Sequence, residues 1–150
     1  MKKLLLLSAS VAAISFGSAA NAQSMDYATM QELFGEPVTT SGNGSPQRVS
    51  DVALNMEILT AEDIARTGAR TIPQALRFMP GVDVRRHSFG QYEVGIRGYN
   101  QPGSERILVL VNGRQVYSDF FGQVVWDSIP VEMGEIQQIE VVKGPNTALF

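Results

Sequence analysis

The sequence has 150 residues, a formal net charge of −3 and no cysteine. This length suits about one small domain, and the mild acidity argues against a nucleic-acid partner. The lack of cysteine excludes disulfides, thiolate metal sites and cysteine nucleophiles.

Residues 1–22 have the pattern of a secretory signal peptide. Lys2 and Lys3 supply the positive start, residues 4–16 form an apolar stretch, and Ala-Asn-Ala at residues 20–22 suits a cleavage site. The apolar stretch is shorter than the ~20 residues of a membrane-spanning helix, which argues against a membrane anchor. We therefore expect export to an oxidising compartment, where a chain without cysteine depends on packing alone.

Residues 23–47 are predicted to precede the globular part. A short amphipathic helix is expected within residues 24–35, capped by the glycine at its end. Residues 36–40 favour an extended conformation, because Pro37 disfavours a helix and three β-branched residues follow it. Residues 41–46 are rich in Ser, Gly, Asn and Pro, which is typical of a flexible linker.

The globular part is predicted to begin with a strand over residues 52–59 and a helix. Thr60 suits the N-cap of this helix because its hydroxyl can accept hydrogen bonds from the first free N–H groups. Gly68 suits its end, and we expect Ile64 and Ala65 to face the sheet.

A second helix is predicted to begin at Thr71. Thr71 and Gln74 have the spacing of a capping box, with Pro73 in the first turn, and a Pro-Gly pair ends the helical pattern. Two strands are expected next, over residues 82–86 and 92–97.

The apolar run at residues 107–111 predicts a strand that is buried on both faces. Asn112 and Gly113 suit the two positive-φ positions of a tight hairpin turn, so residues 114–117 should pair back. A last strand alternates around residues 139–141. Together these elements predict an α+β fold, with a small mixed sheet of about four strands and short helices.

Four phrases of the chain stand in a familiar order. They are Val94-Gly95-Ile96-Arg97-Gly98-Tyr99, Leu108-Val109-Leu110-Val111-Asn112-Gly113-Arg114, Ile129-Pro130-Val131 and Gln138-Ile139-Glu140-Val141-Val142-Lys143-Gly144-Pro145-Asn146. In this order they resemble the plug domain of TonB-dependent outer-membrane receptors. The resemblance covers about residues 33–150. It implies a plug at 48–150, incomplete at its C-terminus, after a periplasmic coupling segment and linker at 23–47.

The resemblance implies a receptor for energy-coupled uptake of a scarce nutrient across the outer membrane, with the plug accessible from the periplasm. The cargo classes are an iron–siderophore chelate, cobalamin or a saccharide. The implied partners are the C-terminal domain of TonB and a β-barrel of the same receptor. Such a barrel would need a much longer chain. A fragment, a truncated reading frame and an incomplete gene model therefore remain three explanations of the sequence.

The resemblance also assigns candidate sites. The TonB-coupling segment would be Glu36, Pro37, Val38, Thr39 and Thr40, with a plain linker as the alternative. Cargo contacts would come from Arg86, His87, Phe89, Gln91, Tyr99, Asn100 and Gln101, with ordinary surface loops as the alternative. Polar residues facing the barrel would be Glu93, Arg97, Arg114, Glu140 and Lys143, with a solvated sheet edge as the alternative.

Other functions are less consistent with the sequence. His87 is the only histidine, and no cluster at metal-ligand spacing accompanies it, so we expect neither a bound metal nor a cofactor. No hydrolase, phosphate-binding or dinucleotide-binding motif is present, so we do not expect an enzyme. The alternative to a receptor is a free periplasmic module, or a non-functional remnant, that binds TonB or a ligand without transport.

Overall fold

The computed structural model describes residues 26–42, 44–99 and 106–144, and the predicted signal peptide lies outside this part. Three α-helices and eight strands form in the described ranges. In chain order they are α1 (Tyr27–Phe34), β1 (Val38–Thr39), β2 (Gln47–Arg48), β3 (Met56–Thr60), α2 (Ala61–Thr67), α3 (Ile72–Leu76), β4 (Val82–Ser88), β5 (Gln91–Ile96), β6 (Leu110–Val111), β7 (Arg114–Gln115) and β8 (Gln138–Val142). Of these helices, none has the length and apolar character that crossing a bilayer requires.

The strands form four two-stranded antiparallel sheets in the part of the chain that is described. The pairs are β1–β2, β3–β8, β4–β5 and β6–β7. The α+β class is confirmed, but the described residues form four separate two-stranded sheets in place of the single mixed sheet that we expected. Neighbouring strands can pair antiparallel through short loops, whereas a parallel pair needs a crossover of about a dozen residues or more.

Strands β3 and β8 bring distant parts of the chain together. Met56 lies opposite Val142, and Thr60 lies opposite Gln138. The prediction that the first strand begins at residue 52 is wrong, because β3 begins at Met56, one residue after Asn55, whose carbonyl accepts a hydrogen bond from the Lys143 N–H at 2.7 Å. The polar residues of β8 therefore lie beside a strand from the first half of the chain.

Helices α1 and α2 end where the sequence predicts. Gly35 and Gly68 follow them in the left-handed conformation, with φ of 73° and 65°. At the start of α2, the Thr60 hydroxyl accepts a hydrogen bond from the Asp63 N–H, and the Asp63 carboxylate accepts one from the Thr60 N–H. The expectation that Ile64 and Ala65 both face the sheet is only half right, because Ile64 is buried and Ala65 is exposed.

The capping box predicted at Thr71 is not formed. The Thr71 hydroxyl makes no cap hydrogen bond and is buried without a partner in the described structure. The side chain of Gln74 accepts instead from the backbone N–H of Arg70, at 2.9 Å. A capping box would have the Gln74 side chain accept from the backbone N–H of Thr71, whereas it accepts from the N–H one residue earlier.

The apolar run at residues 107–111 is buried on one face only, so the prediction of a strand covered on both faces is wrong. Its strand pairing is limited to β6. Val109 packs against the core, while Leu108 is 51% exposed. Successive side chains of an extended segment point to opposite sides, so Leu108 lies on the side away from Val109 and the core. The turn at Asn112 and Gly113 forms as predicted, with φ of 49° and 77°.

The core is small and is formed by side chains from α3, from the loop after it, from β5 and from residues 124–126. Its five buried side chains are Leu76, Met79, Val94, Val124 and Trp126. Among the aromatic residues from 117 to 126, Trp126 belongs to this buried cluster. Phe120 and Phe121 are 90% and 60% exposed.

Thr60 and Thr71 should respond differently to substitution. Thr60→Ala removes a formed cap and should lower the free energy of unfolding by about 0.5–2 kcal/mol. Thr71→Val keeps the shape but removes a hydroxyl that has no partner in the described structure, so stability should stay the same or rise. Urea denaturation followed by circular dichroism measures both. Equal losses at the two positions would contradict the observed capping.

The capping box at α2 should add to stability above acidic pH. The Thr60 hydroxyl donates to the Asp63 carboxylate at 2.6 Å and holds the pKa of Asp63 below its ordinary value of 3.8. A lowered folded-state pKa gives stability that is present above 3.8 and is lost as pH falls through the folded-state value. Asp63→Asn should therefore make unfolding less dependent on pH in this range. Thr60→Val, which lacks the donor, should flatten the same limb.

Candidate functional site

The segment that the sequence predicts for coupling contains a buried two-residue strand at its centre. Val38 and Thr39 form β1 and are each 1% exposed. They pair with Arg48 and Gln47 of β2. Residues 41–46, predicted to be a flexible linker, therefore connect two paired strands. Asn43 within this loop lies outside the described residues.

The carboxylate of Glu140 on β8 holds this segment through its side chains. Glu140 Oε2 accepts a hydrogen bond from the Thr39 hydroxyl at 2.6 Å and another from the Ser41 hydroxyl. Gln138 Nε2 donates to the other Glu140 oxygen and, at 2.9 Å, to the backbone carbonyl of Val38. We call these five residues the Glu140 latch. Hydrogen bonds to a charged group contribute about 1.5–3 kcal/mol each.

Two further contacts secure the flanks of β1. The Ser50 hydroxyl donates to the Glu36 carboxylate at 2.7 Å, and the hydroxyls of Tyr27 and Thr40 lie 3.3 Å apart. Helix α1 thus contacts one end of the segment, and the turn after β2 contacts the other. These contacts and the Glu140 latch together hold the segment along its length.

The hairpin of β4 and β5 carries a second polar arrangement. A β-bulge between Arg86 and Ser88 leaves His87 as the extra residue, and such bulges re-aim a side chain. Here the bulge brings His87 Nε2 to 2.7 Å from Oε2 of Glu93. Glu93 is only 4% exposed, and its Oε1 atom has no hydrogen-bond partner in the described structure. An unmade hydrogen bond of this kind costs about 1–3 kcal/mol.

Glu93 and His87 lie in the wall of a cavity of about 350 Å³. The hairpin forms one side, and residues 121–126 form the other. The wall also includes Gln91, Tyr92, Phe121 and Trp126. The cavity therefore combines one carboxylate, one imidazole, two side-chain amides (Gln91 and Gln123) and aromatic residues.

No set of three or more His, Asp or Glu side chains suited to holding a metal ion occurs in residues 26–42, 44–99 and 106–144. The Glu140 latch contains a single carboxylate, and the cavity pairs one carboxylate with one imidazole. A site built from side chains usually supplies three or four ligands. Both arrangements are suited to hydrogen bonding.

Comparison with known families identifies the domain. A model of the TonB-dependent receptor plug domain matches residues 48–150. The chain belongs to this family. The α+β fold of short helices and small antiparallel sheets is consistent with that membership.

Relatives of the plug are transporters rather than enzymes. The vitamin B12 transporter BtuB of Vibrio cholerae serotype O1 (strain M66-2) is 30% identical over 115 residues, which are 77% of this chain and 18% of the relative. BtuB of Photobacterium profundum is 30% identical over 120 residues, or 79% and 19%. BtuB of Vibrio vulnificus (strain CMCP6) is 31% identical over 120 residues, or 77% and 18%. The chain spans less than a fifth of the length of these relatives.

The predicted cargo-contact residues of the plug are only partly brought together. Arg86 lies over the rings of Phe89 and Tyr92, at 5.6 and 5.9 Å, on the exposed side of the hairpin. His87 and Gln91 line the cavity. Tyr99 is exposed beyond the end of β5, whereas Asn100 and Gln101 lie outside the described residues.

The predicted barrel-facing residues of the plug divide into two groups. Arg97 and Arg114 are at least partly exposed. Glu93 and Glu140 are engaged by His87 and by the latch, and Lys143 is buried with its Nζ atom 3.2 Å from Glu57. The sequence pattern did not reveal these internal partners, because they come from segments up to about a hundred residues away. A role in contacting a barrel stays a prediction for all five.

Glu140→Gln should loosen β1 while leaving the rest of the plug folded. The substitution keeps the size of the side chain but removes its charge and turns an N–H₂ group toward hydroxyl donors. We expect the docked state of β1 to lose about 1–3 kcal/mol. Hydrogen exchange at the N–H groups of residues 38–41 should then become faster. Glu32→Gln, on the exposed side of α1, is the control that should change nothing. Equal exchange in all three proteins would contradict the latch.

Proposed function

We propose that this plug is the gating part of an outer-membrane receptor for energy-coupled nutrient uptake, exported by residues 1–22. We further propose that its coupling segment is Glu36, Pro37, Val38, Thr39 and Thr40. Family membership supports the receptor role, and the naming of its relatives as transporters supports uptake. The observation that carries the proposal is the Glu140 latch, because it links the accessibility of the coupling segment to the packing of β8.

The coupling would proceed by strand addition. A strand can pair with the edge of a partner sheet only when its own N–H and C=O groups are unoccupied. Docked β1 uses these groups to pair with β2, and Gln138 occupies the Val38 carbonyl. The C-terminal domain of TonB would therefore bind the segment after it is released and would pull on the plug through it.

Cargo must favour the released state for this mechanism to work. If the latch stabilises the docked state by about 3 kcal/mol, only about one molecule in a hundred exposes the segment without cargo. Cargo raises that fraction only if it binds the released state more tightly than the docked state. A cargo with equal affinity for both states would leave the segment hidden.

Cobalamin is one candidate cargo, since the named relatives are vitamin B12 transporters. An iron–siderophore chelate and a saccharide are the other candidates. We propose that the cargo is contacted by the hairpin residues Arg86, His87, Phe89 and Gln91 and by the loop from Tyr99 to Gln101. Arg97 and Arg114 are proposed to contact the inside of a barrel, whose wet interior suits charge.

Binding to the C-terminal domain of TonB tests the coupling segment. Glu140→Gln should raise the apparent affinity about tenfold, because a larger fraction of the plug then exposes its segment. Adding Val38→Pro should reverse this gain, since proline cannot donate the N–H that strand addition uses. Isothermal titration calorimetry measures both, with Glu32→Gln as the control. Faster hydrogen exchange in Glu140→Gln without any TonB binding would keep the latch and remove the coupling role.

A further inference from the structure

The cavity beside the β4–β5 hairpin contains a carboxylate that is incompletely satisfied. Oε2 of Glu93 bonds to His87 at 2.7 Å, whereas Oε1 has no partner in the described residues and is closed off from solvent. A carboxylate can accept up to about four hydrogen bonds. Glu93 itself lines the cavity, so its carboxylate belongs to the cavity wall. The wall therefore lacks a hydrogen-bond donor at this point.

The surroundings of Glu93 favour a donor that carries positive charge. The rings of Tyr92, Phe121 and Trp126 line the same cavity, and aromatic faces attract ammonium and guanidinium groups. Both the hydrogen-bonding and the electrostatic character of the cavity thus suit a cation.

The nearest cation of the described chain does not fill this role. Arg85 lies directly opposite Glu93 in the strand register, but its side chain is exposed and it forms no ion pair with Glu93 in the described structure. Arg86 lies over the rings of Phe89 and Tyr92 and forms no ion pair with Glu93 in the described structure. In the described structure the carboxylate is therefore paired with His87 and with neither of these two arginines.

We propose that this cavity binds the primary ammonium or guanidinium group of a small ligand, with Glu93 as the residue that selects for positive charge. The size of the cavity, about 350 Å³, falls in the lower range of small-molecule pockets and exceeds what one side-chain tip needs. Tyr92, Phe121 and Trp126 would cover the apolar part of the ligand. The proposal does not depend on TonB coupling, because it rests on the hairpin and residues 121–126 alone.

Trp126 provides a direct readout, because it is the only tryptophan of the chain and lines the cavity. The probe is N-acetyl-arginine amide, and its matched control is N-acetyl-citrulline amide, which has nearly the same shape but no charge. Titration of the full chain should change the Trp126 fluorescence to saturation with the arginine probe. The citrulline probe should bind at least about tenfold more weakly, since charge-assisted hydrogen bonds are the stronger ones.

Two variants test the role of Glu93. Glu93→Gln keeps the size of the side chain and should weaken binding of the arginine probe about tenfold, whereas Glu32→Gln should leave it unchanged. Arg85→Ala removes a nearby positive charge without touching the cavity and should tighten binding about threefold. The second variant keeps the test informative if Glu93→Gln disturbs folding.

The outcomes separate cleanly. Preference for the arginine probe that is lost in Glu93→Gln, or strengthened in Arg85→Ala, supports the site. Equal binding of the two probes, no saturable fluorescence change, or identical affinities in Arg85→Ala and the unaltered chain would overturn it. TonB binding measured in parallel would be unaffected by either result, so failure here is distinguishable from failure of the coupling segment.

Discussion

The carboxylate of Glu140 is the contact on which the docking of β1 depends. It accepts hydrogen bonds from Thr39, Ser41 and Gln138, and Gln138 also holds the carbonyl of Val38. A two-residue strand cannot be stable by its own pairing, since even an isolated two-stranded hairpin is marginal in water. The charged hydrogen bonds from β8 provide the stabilisation that β1 lacks.

This dependence explains how a strand can be both ordered and releasable. Apolar contacts over a large area would hold the segment permanently, whereas a few polar contacts to one carboxylate can be exchanged for water in a single step. Val38 and Thr39 are buried, so release exposes them at a cost. The balance suits a segment that is docked most of the time and is available only in a minor state.

The two polar arrangements of the domain have different character. In the Glu140 latch, both carboxylate oxygens have partners from the protein itself, so the site is complete. At Glu93, one oxygen bonds to His87 and the other has no partner in the described structure. A buried carboxylate that is only partly satisfied is costly to keep for stability alone. We therefore interpret the Glu140 latch as an internal contact and the cavity at Glu93 as a ligand site.

The sequence by itself determined the features that depend on the conformational preferences of neighbouring residues. The turn at Asn112 and Gly113, and the helix from Thr60 to Gly68, follow from residues that are close in the chain and have strong conformational preferences. The family could also be inferred, since the order of its phrases is a property of the sequence.

Only the tertiary structure decided which polar groups meet and which faces are covered. Glu140 finds its donors about a hundred residues away, and Leu108 is exposed because it lies on the side of its segment away from Val109 and the core. Thr71 and Gln74 have the spacing of a capping box, but Thr71 makes no cap hydrogen bond and the Gln74 side chain accepts from the Arg70 N–H. Periodicity tells which residues share a face, but the partner of that face is set by how the whole chain packs.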